Sequence, residues 1–158
     1  MLVVFNLSTC DLEPMEFRTT SKDPAGDLEV IQSKENDVFY GYLSFLKKKR
    51  QEREPFDSVL RDSTATNEEV AAARAGLQKL TDEVTEYQYY LTNDPREFLF
   101  GKYLSMMNEP EVPDAPESVE DAALWQYLWY RNHYWDRVDF SDPRLVRDGG
   151  FDQLINRY

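Results

Sequence analysis

The period of the hydrophobic positions changes near residue 33. Ahead of it, residues 1–7 form a short apolar run. Glu16-Phe17-Arg18-Thr19-Thr20 and Asp27-Leu28-Glu29-Val30-Ile31 alternate or are β-branched, with the turn residues Asp23-Pro24 and Gly26-Asp27 between them. The pattern predicts three short strands in residues 1–32. So thin a sheet has little to pack against, and it reads either as a small self-sufficient meander or as the last strands left from a preceding β-domain. The second reading leaves an edge strand open to pairing with another chain.

From residue 33 the apolar period is helical. Ser33 can cap a first helix over 34–53, ending before Pro55, with Val38, Phe39, Tyr42, Leu43 and Leu46 on one stripe. Lys47-Lys48-Lys49-Arg50 then falls near its end, where cations meet the negative end of the helix dipole. A second helix opens on a Thr66-x-x-Glu69 capping box. Val70, Ala73, Leu77, Leu80, Val84, Tyr87 and Leu91 follow at spacings of 3, 4, 3, 4, 3 and 4, a narrow a/d seam. Such a helix packs antiparallel on a partner in its own chain or forms a homodimeric coiled coil through the 70–91 face. Asp94 and Pro95 suit the start of a third helix carrying Phe98, Leu99, Tyr103, Leu104, Met106 and Met107 as core. Residues 109–117 hold three prolines with acids between them, an extended, stiff and solvated connector. Ser118 or Asp121 can cap a fourth helix reaching Trp135. Trp125, Leu128 and Trp129 fit a core stripe on it, and Tyr127, Tyr130 and Tyr134 a second stripe. Ser141 or Asp142 caps a short helix with Pro143 in its first turn; Gly149-Gly150 breaks it, and 151–158 is a last short helix. The expected fold is mainly α, a bundle of about five helices behind a few N-terminal strands, with residues 1–32 as a β-remnant and 33–158 as a helical domain.

Composition narrows the chemistry. The 158 residues suit one domain, or one domain with a fragment of a neighbour. Aromatics make up 14%, which argues against global disorder. The net charge of −12 repels phosphate backbones and anionic lipid surfaces, so nucleic acid is a poor partner. No apolar stretch reaches the ~20 residues of a membrane span. Residues 1–7 lack a basic leader and a following cleavage site, and so read as strand rather than signal peptide.

Catalytic constellations are missing. The single Cys10 excludes an internal disulfide, a Cys-x-x-Cys pair and a Cys-based zinc site, and reads as a small buried hydrophobe. The single His133 has Tyr130 where a Glu-x-x-His metal motif needs an acid. It reads as a packing residue, with a pH-sensitive contact as the sharper alternative. There is no Gly-x-Ser-x-Gly elbow and no glycine-rich phosphate loop. No cofactor, metal or enzymatic activity is expected of this chain.

The run Asn132-His133-Tyr134-Trp135-Asp136-Arg137-Val138-Asp139-Phe140-Ser141-Asp142-Pro143-Arg144-Leu145-Val146-Arg147 resembles a bacterial family motif. The family is the helical domain of unknown function that precedes the thioredoxin-like domain in envelope thiol:disulfide oxidoreductases of Gram-negative bacteria. Ser33-Lys34-Glu35-Asn36-Asp37-Val38-Phe39-Tyr40 is similar to the family's passage from β-domain into first helix. Phe98-Leu99-Phe100 and Asn108-Glu109-Pro110-Glu111-Val112-Pro113 resemble its third helix and connector. The resemblance covers about residues 33–158. It implies a cell-envelope or periplasmic location and an adjacent thioredoxin-like domain, with that domain's protein substrates as partners. The export signal, most of the β-domain and the Cys-x-x-Cys domain have no counterpart in the sequence, so no redox activity and no catalytic residue is carried over.

The expectation is therefore a non-catalytic accessory module that positions the redox domain or its substrate. A different class is a stand-alone binding module for a glycan or an unfolded exported protein. Its candidate interaction residues are Trp125, Tyr127, Trp129, Tyr130, His133, Tyr134 and Trp135, since Trp and Tyr join large contact area to a polar handle. A third is homodimerisation through the heptad face or the open β-edge.

Overall fold

The computed structural model describes residues 16–20, 22, 27–96, 98–147 and 149–158; the strand expected over 1–7 and Cys10 lie outside the described residues. The chain is mainly helical, with a short two-stranded antiparallel sheet at its N-terminal side. It forms two compact units, residues 1–91 and 92–158.

The first unit holds the sheet and two long helices. β1 (Glu16–Arg18) pairs with β2 (Glu29–Gln32) in the register Phe17 to Val30 and Arg18 to Glu29, with an irregularity at Glu16. Ser33 caps α1 (Lys34–Arg61): its hydroxyl accepts from the Asn36 amide at 3.2 Å and from Asn36 Nδ2 at 2.8 Å. Asn36 is fully buried there.

Helix α1 does not stop before Pro55; it runs through it to Arg61. Proline removes one i→i−4 bond, here to the Gln51 carbonyl. Both residues are exposed, and Phe56 and Val59 beyond them are half-buried and anchor the extra turns. Two consequences follow. The 47–50 cations lie in mid-helix, so the helix dipole does not explain them. The buried stripe is also shifted: Leu43 is exposed, and Tyr42, Phe45, Leu46, Phe56 and Val59 face inward.

Helix α2 (Asn67–Thr92) begins as its capping box dictates: the Thr66 amide donates to Glu69 Oε2 at 2.8 Å, and the Glu69 amide to Thr66 Oγ1 at 3.2 Å. All seven heptad positions are buried or half-buried. They pack antiparallel on α1 in one register. Tyr87 meets Tyr42 and Phe45 at ring distances of 5.9 and 4.6 Å, Gln88 donates to the Tyr42 hydroxyl at 2.6 Å, and Lys49 binds Glu83. Further along, Gly76 lies under the Phe56 ring.

The second unit is built on three shorter helices. α3 (Leu99–Met107) starts five residues after Asp94, with Phe98 at its N-cap and no side-chain cap bond. Asp94 does not cap it. Its carboxylate instead accepts from the Arg96 amide at 2.9 Å and from Arg96 Nε at 2.8 Å, and so closes an Asp-Pro-Arg turn. The 109–116 connector has no regular structure, but Glu109 binds Arg157 at 2.9 Å and the Pro113 carbonyl accepts from Gln126, which ties down its start and its middle. α4 (Ala122–His133) is capped by Asp121, whose carboxylate accepts from the Leu124 amide at 2.9 Å. A 3-10 turn (Leu145–Arg147) leads to α5 (Gly149–Arg157), which starts at the glycines expected to break a helix. The core joins Met106, Tyr134, Val138, Leu145 and Leu154.

Candidate functional site

The seven aromatic and histidine candidates do not share a surface. α4 ends at His133 rather than Trp135, and the 133–138 backbone tightens into i→i+3 turns, Asp136 to His133 at 3.2 Å and Val138 to Trp135 at 3.0 Å. Tyr134 is thereby turned into the core, where its hydroxyl donates to the Leu154 carbonyl at 2.9 Å. Trp135 packs in a ring cluster with Tyr134, Phe140, Phe151 and Tyr158. Tyr130 leans edge-on against Tyr134 at 5.5 Å, and burial pushes its phenol pKa up. Trp125 and Trp129 are half-buried, and Trp129 lies 4.1 Å from the His133 ring, which in turn binds Asp136 at 2.6 Å.

Only Tyr127 of the seven is broadly exposed, with Leu124 one turn before it and Leu128 next to it in the chain. These three are 54, 52 and 50% exposed. Leu128 therefore does not belong to a core stripe, and α4 contributes no buried residue at all. Arg131 finishes this face: its guanidinium lies 3.9 Å from the centre of the Tyr158 ring and donates to the Tyr127 hydroxyl at 3.2 Å. The apolar i, i+3, i+4 spacing of 124, 127 and 128 was present in the sequence. The denser Trp pattern beside it masked that spacing.

The segment after α4 is held by charge. Asp142 is buried, and it accepts from the Arg144 amide at 3.1 Å and from Arg144 Nε at 2.8 Å. This repeats the Asp94-Pro95-Arg96 turn bond for bond. Lys102 of α3 bridges Asp139 at 2.9 Å and Asp142 at 3.2 Å. Hydrogen bonds from the Arg144 side chain hold the Asp142 carboxyl well below the usual range, and those from Arg96 hold Asp94 at about 2.

In the first unit, α1 and α2 leave an open groove of about 490 Å³ on one side of their seam. Leu46, Leu77, Leu80 and Val84 floor it; Lys49, Arg50 and Arg53 form one rim, and Thr81, Thr85 and Gln88 the other. Lys49 donates to the Glu52 and Glu83 carboxylates, and these bonds raise its pKa.

Among the described residues no cluster of His, Cys, Asp and Glu could hold a metal ion, and no helix is long and apolar enough to cross a membrane. No protein-family model, curated protein or solved structure matches the chain.

Proposed function

We propose that this chain is a non-catalytic helical accessory module of an exported thioredoxin-like disulfide oxidoreductase, positioning the redox domain or its protein substrate. The observation that carries the reading is the segment 132–147. It bears the family resemblance, and its Tyr134, Val138 and Leu145 pack in the core while Asp142 is locked by Arg144 and Lys102. The segment thus has a structural reason for its residue types. The helix leading into it turns Leu124, Tyr127 and Leu128 outward as a contiguous apolar stripe. Such a stripe, bordered by polar side chains, suits a protein surface. It suits a glycan less well, because sugar rings stack on flat aromatic faces and only Tyr127 offers one.

The first test is the DNA on both sides of the coding segment. The reading expects a frame continuing past Tyr158 into a Cys-x-x-Cys domain and an export signal upstream. A stop codon directly after Tyr158 overturns it. The second test is a titration of the labelled chain with that redox domain, followed by NMR. Amide shifts centred on α4, lost in Leu124→Ser/Leu128→Ser, are expected. Turnover of insulin disulfides by this chain alone contradicts a non-catalytic role.

A further inference from the structure

We infer that the α1–α2 groove is a docking site for an acidic amphipathic helix from a partner protein. Two helices packed along one seam cover only one side of each apolar stripe. Here the uncovered side runs from Leu77 to Gln88, about 16 Å at the helical rise, which is the length of a three-turn helix. On each wall the lining residues recur at i, i+3, i+4 and i+7, the spacing that a third helix needs for its anchors.

Charge selects the occupant. The chain carries 30 acids against 18 bases, yet every ionisable group lining the groove is a cation. Lys49 and Arg53 are held by acids of the hairpin, whereas Arg50 is exposed and makes no ion pair among the described residues. The helix dipole does not account for these cations, because α1 continues for eleven residues past Arg50. A second copy of the chain is a poor fit: a two-fold pairing of grooves sets cations against cations or against neutral Thr81, Thr85 and Gln88, and the carboxylates beside the groove, Glu52, Glu83 and Asp57, are already engaged by Lys49 and Arg53 of their own hairpin. A helix with leucines on one face and glutamates flanking them satisfies both floor and rim.

The test is fluorescence anisotropy with the full chain and two labelled Ala-rich helical peptides of about 14 residues. Both carry Leu at i, i+3, i+4 and i+7; one has Glu flanks, the other Lys. The Glu peptide is expected to bind about tenfold or more tightly than the Lys peptide, and to weaken as salt rises from about 0.05 to 0.5 M. Arg50→Glu is expected to reverse the preference, with the helical circular dichroism unchanged. A loss of packing alone cannot produce that reversal. Equal binding of the two peptides, or none at about 1 mM, overturns the proposal. So does a light-scattering dimer that Leu80→Glu converts to a folded monomer, since a second copy then fills the groove. Displacement of the Glu peptide by dodecanoate binding more tightly assigns the groove to a fatty anion and overturns it as well.

Discussion

Two tripeptides of identical sequence, Asp94-Pro95-Arg96 and Asp142-Pro143-Arg144, fold into the same turn. Proline fixes the backbone so that the arginine amide and guanidinium both return to the preceding carboxylate. The sequence suggested helix caps at both places, because an aspartate before a proline looks like one. Each carboxylate does take one backbone amide, that of the arginine two residues on, and the guanidinium adds to it; Asp142 leads into the 3-10 turn Leu145–Arg147, whereas α3 begins only five residues after Asp94. Replacing Asp142 by Asn leaves Arg144 and Lys102 facing a neutral group in a buried position. Urea unfolding is expected to show a loss of about 1–3 kcal/mol. Tyr134→Phe removes a buried bond to the Leu154 carbonyl and is expected to lose about 1 kcal/mol. Both turns also make stability depend on acid. The folded-state pKa values of Asp94 and Asp142 lie below the ~3.9 of an unfolded aspartate. The unfolded chain therefore binds more protons in that interval. The stabilisation is complete above about pH 4 and is lost as pH falls through the folded values, about 2 for Asp94. The urea midpoint is expected to drop between about pH 4 and pH 2, and Asp94→Asn/Asp142→Asn to flatten that slope. An unchanged slope in the double variant means that other carboxylates carry the acid transition.

At the scale of elements, the α1–α2 pair contains a local cost and a close contact that test its packing. Pro55 is exposed in a helix that continues past it, so Pro55→Ala restores a backbone bond at no packing loss. A gain of about 1–3 kcal/mol, seen as a higher urea midpoint at constant slope, is expected. Gly76 presents the opposite case. Alanine is the better helix former by ~1 kcal/mol, but a Cβ here would lie 2.4 Å from the Phe56 ring. Gly76→Ala is expected to destabilise, and the same change in a Phe56→Ala background to stabilise. Stabilisation in both backgrounds means that the ring swings aside freely. These cases show which parts of the fold were legible. α2 could be read entirely, because its capping box is local and its seam repeats over three heptads. The end of α1 could not, since the seat of Phe56 over Gly76 is a contact between residues twenty apart and outweighs the local proline signal. The candidate site was half legible. The aromatic richness of α4 was plain, but the point where the chain leaves the helix decides which rings are buried, and no residue at 133–135 marks that exit.

At the scale of the whole molecule, the described residues of the two units differ in how their buried side chains are arranged. Among the described residues of 1–91 the buried apolar side chains are Tyr42, Ala73 and Leu91, spread along a hairpin of 28- and 26-residue helices. Residues 92–158 bring Met106, Tyr134, Val138, Leu145 and Leu154 into one cluster, ringed by Tyr130, Trp135 and Phe151. Long helices with a half-covered seam open more readily than a closed cluster, because tertiary packing rather than propensity holds helices together. Two ordinary probes separate the units. The three tryptophans, 125, 129 and 135, all lie in the second unit, so indole fluorescence follows it alone. Helical ellipticity is dominated by α1 and α2, the helices of the first. The ellipticity transition in urea is expected to come at lower denaturant than the fluorescence transition, and superimposable curves mean one cooperative unit instead. The same pair of probes reads the groove. A ligand that binds only the folded hairpin raises the stability of that hairpin by mass action. The Glu-flanked helix should therefore move the ellipticity curve towards the fluorescence curve, while Arg50→Glu should leave it in place. If the fluorescence curve moves and the ellipticity curve does not, the peptide is bound by the second unit, and α4 rather than the groove is its contact.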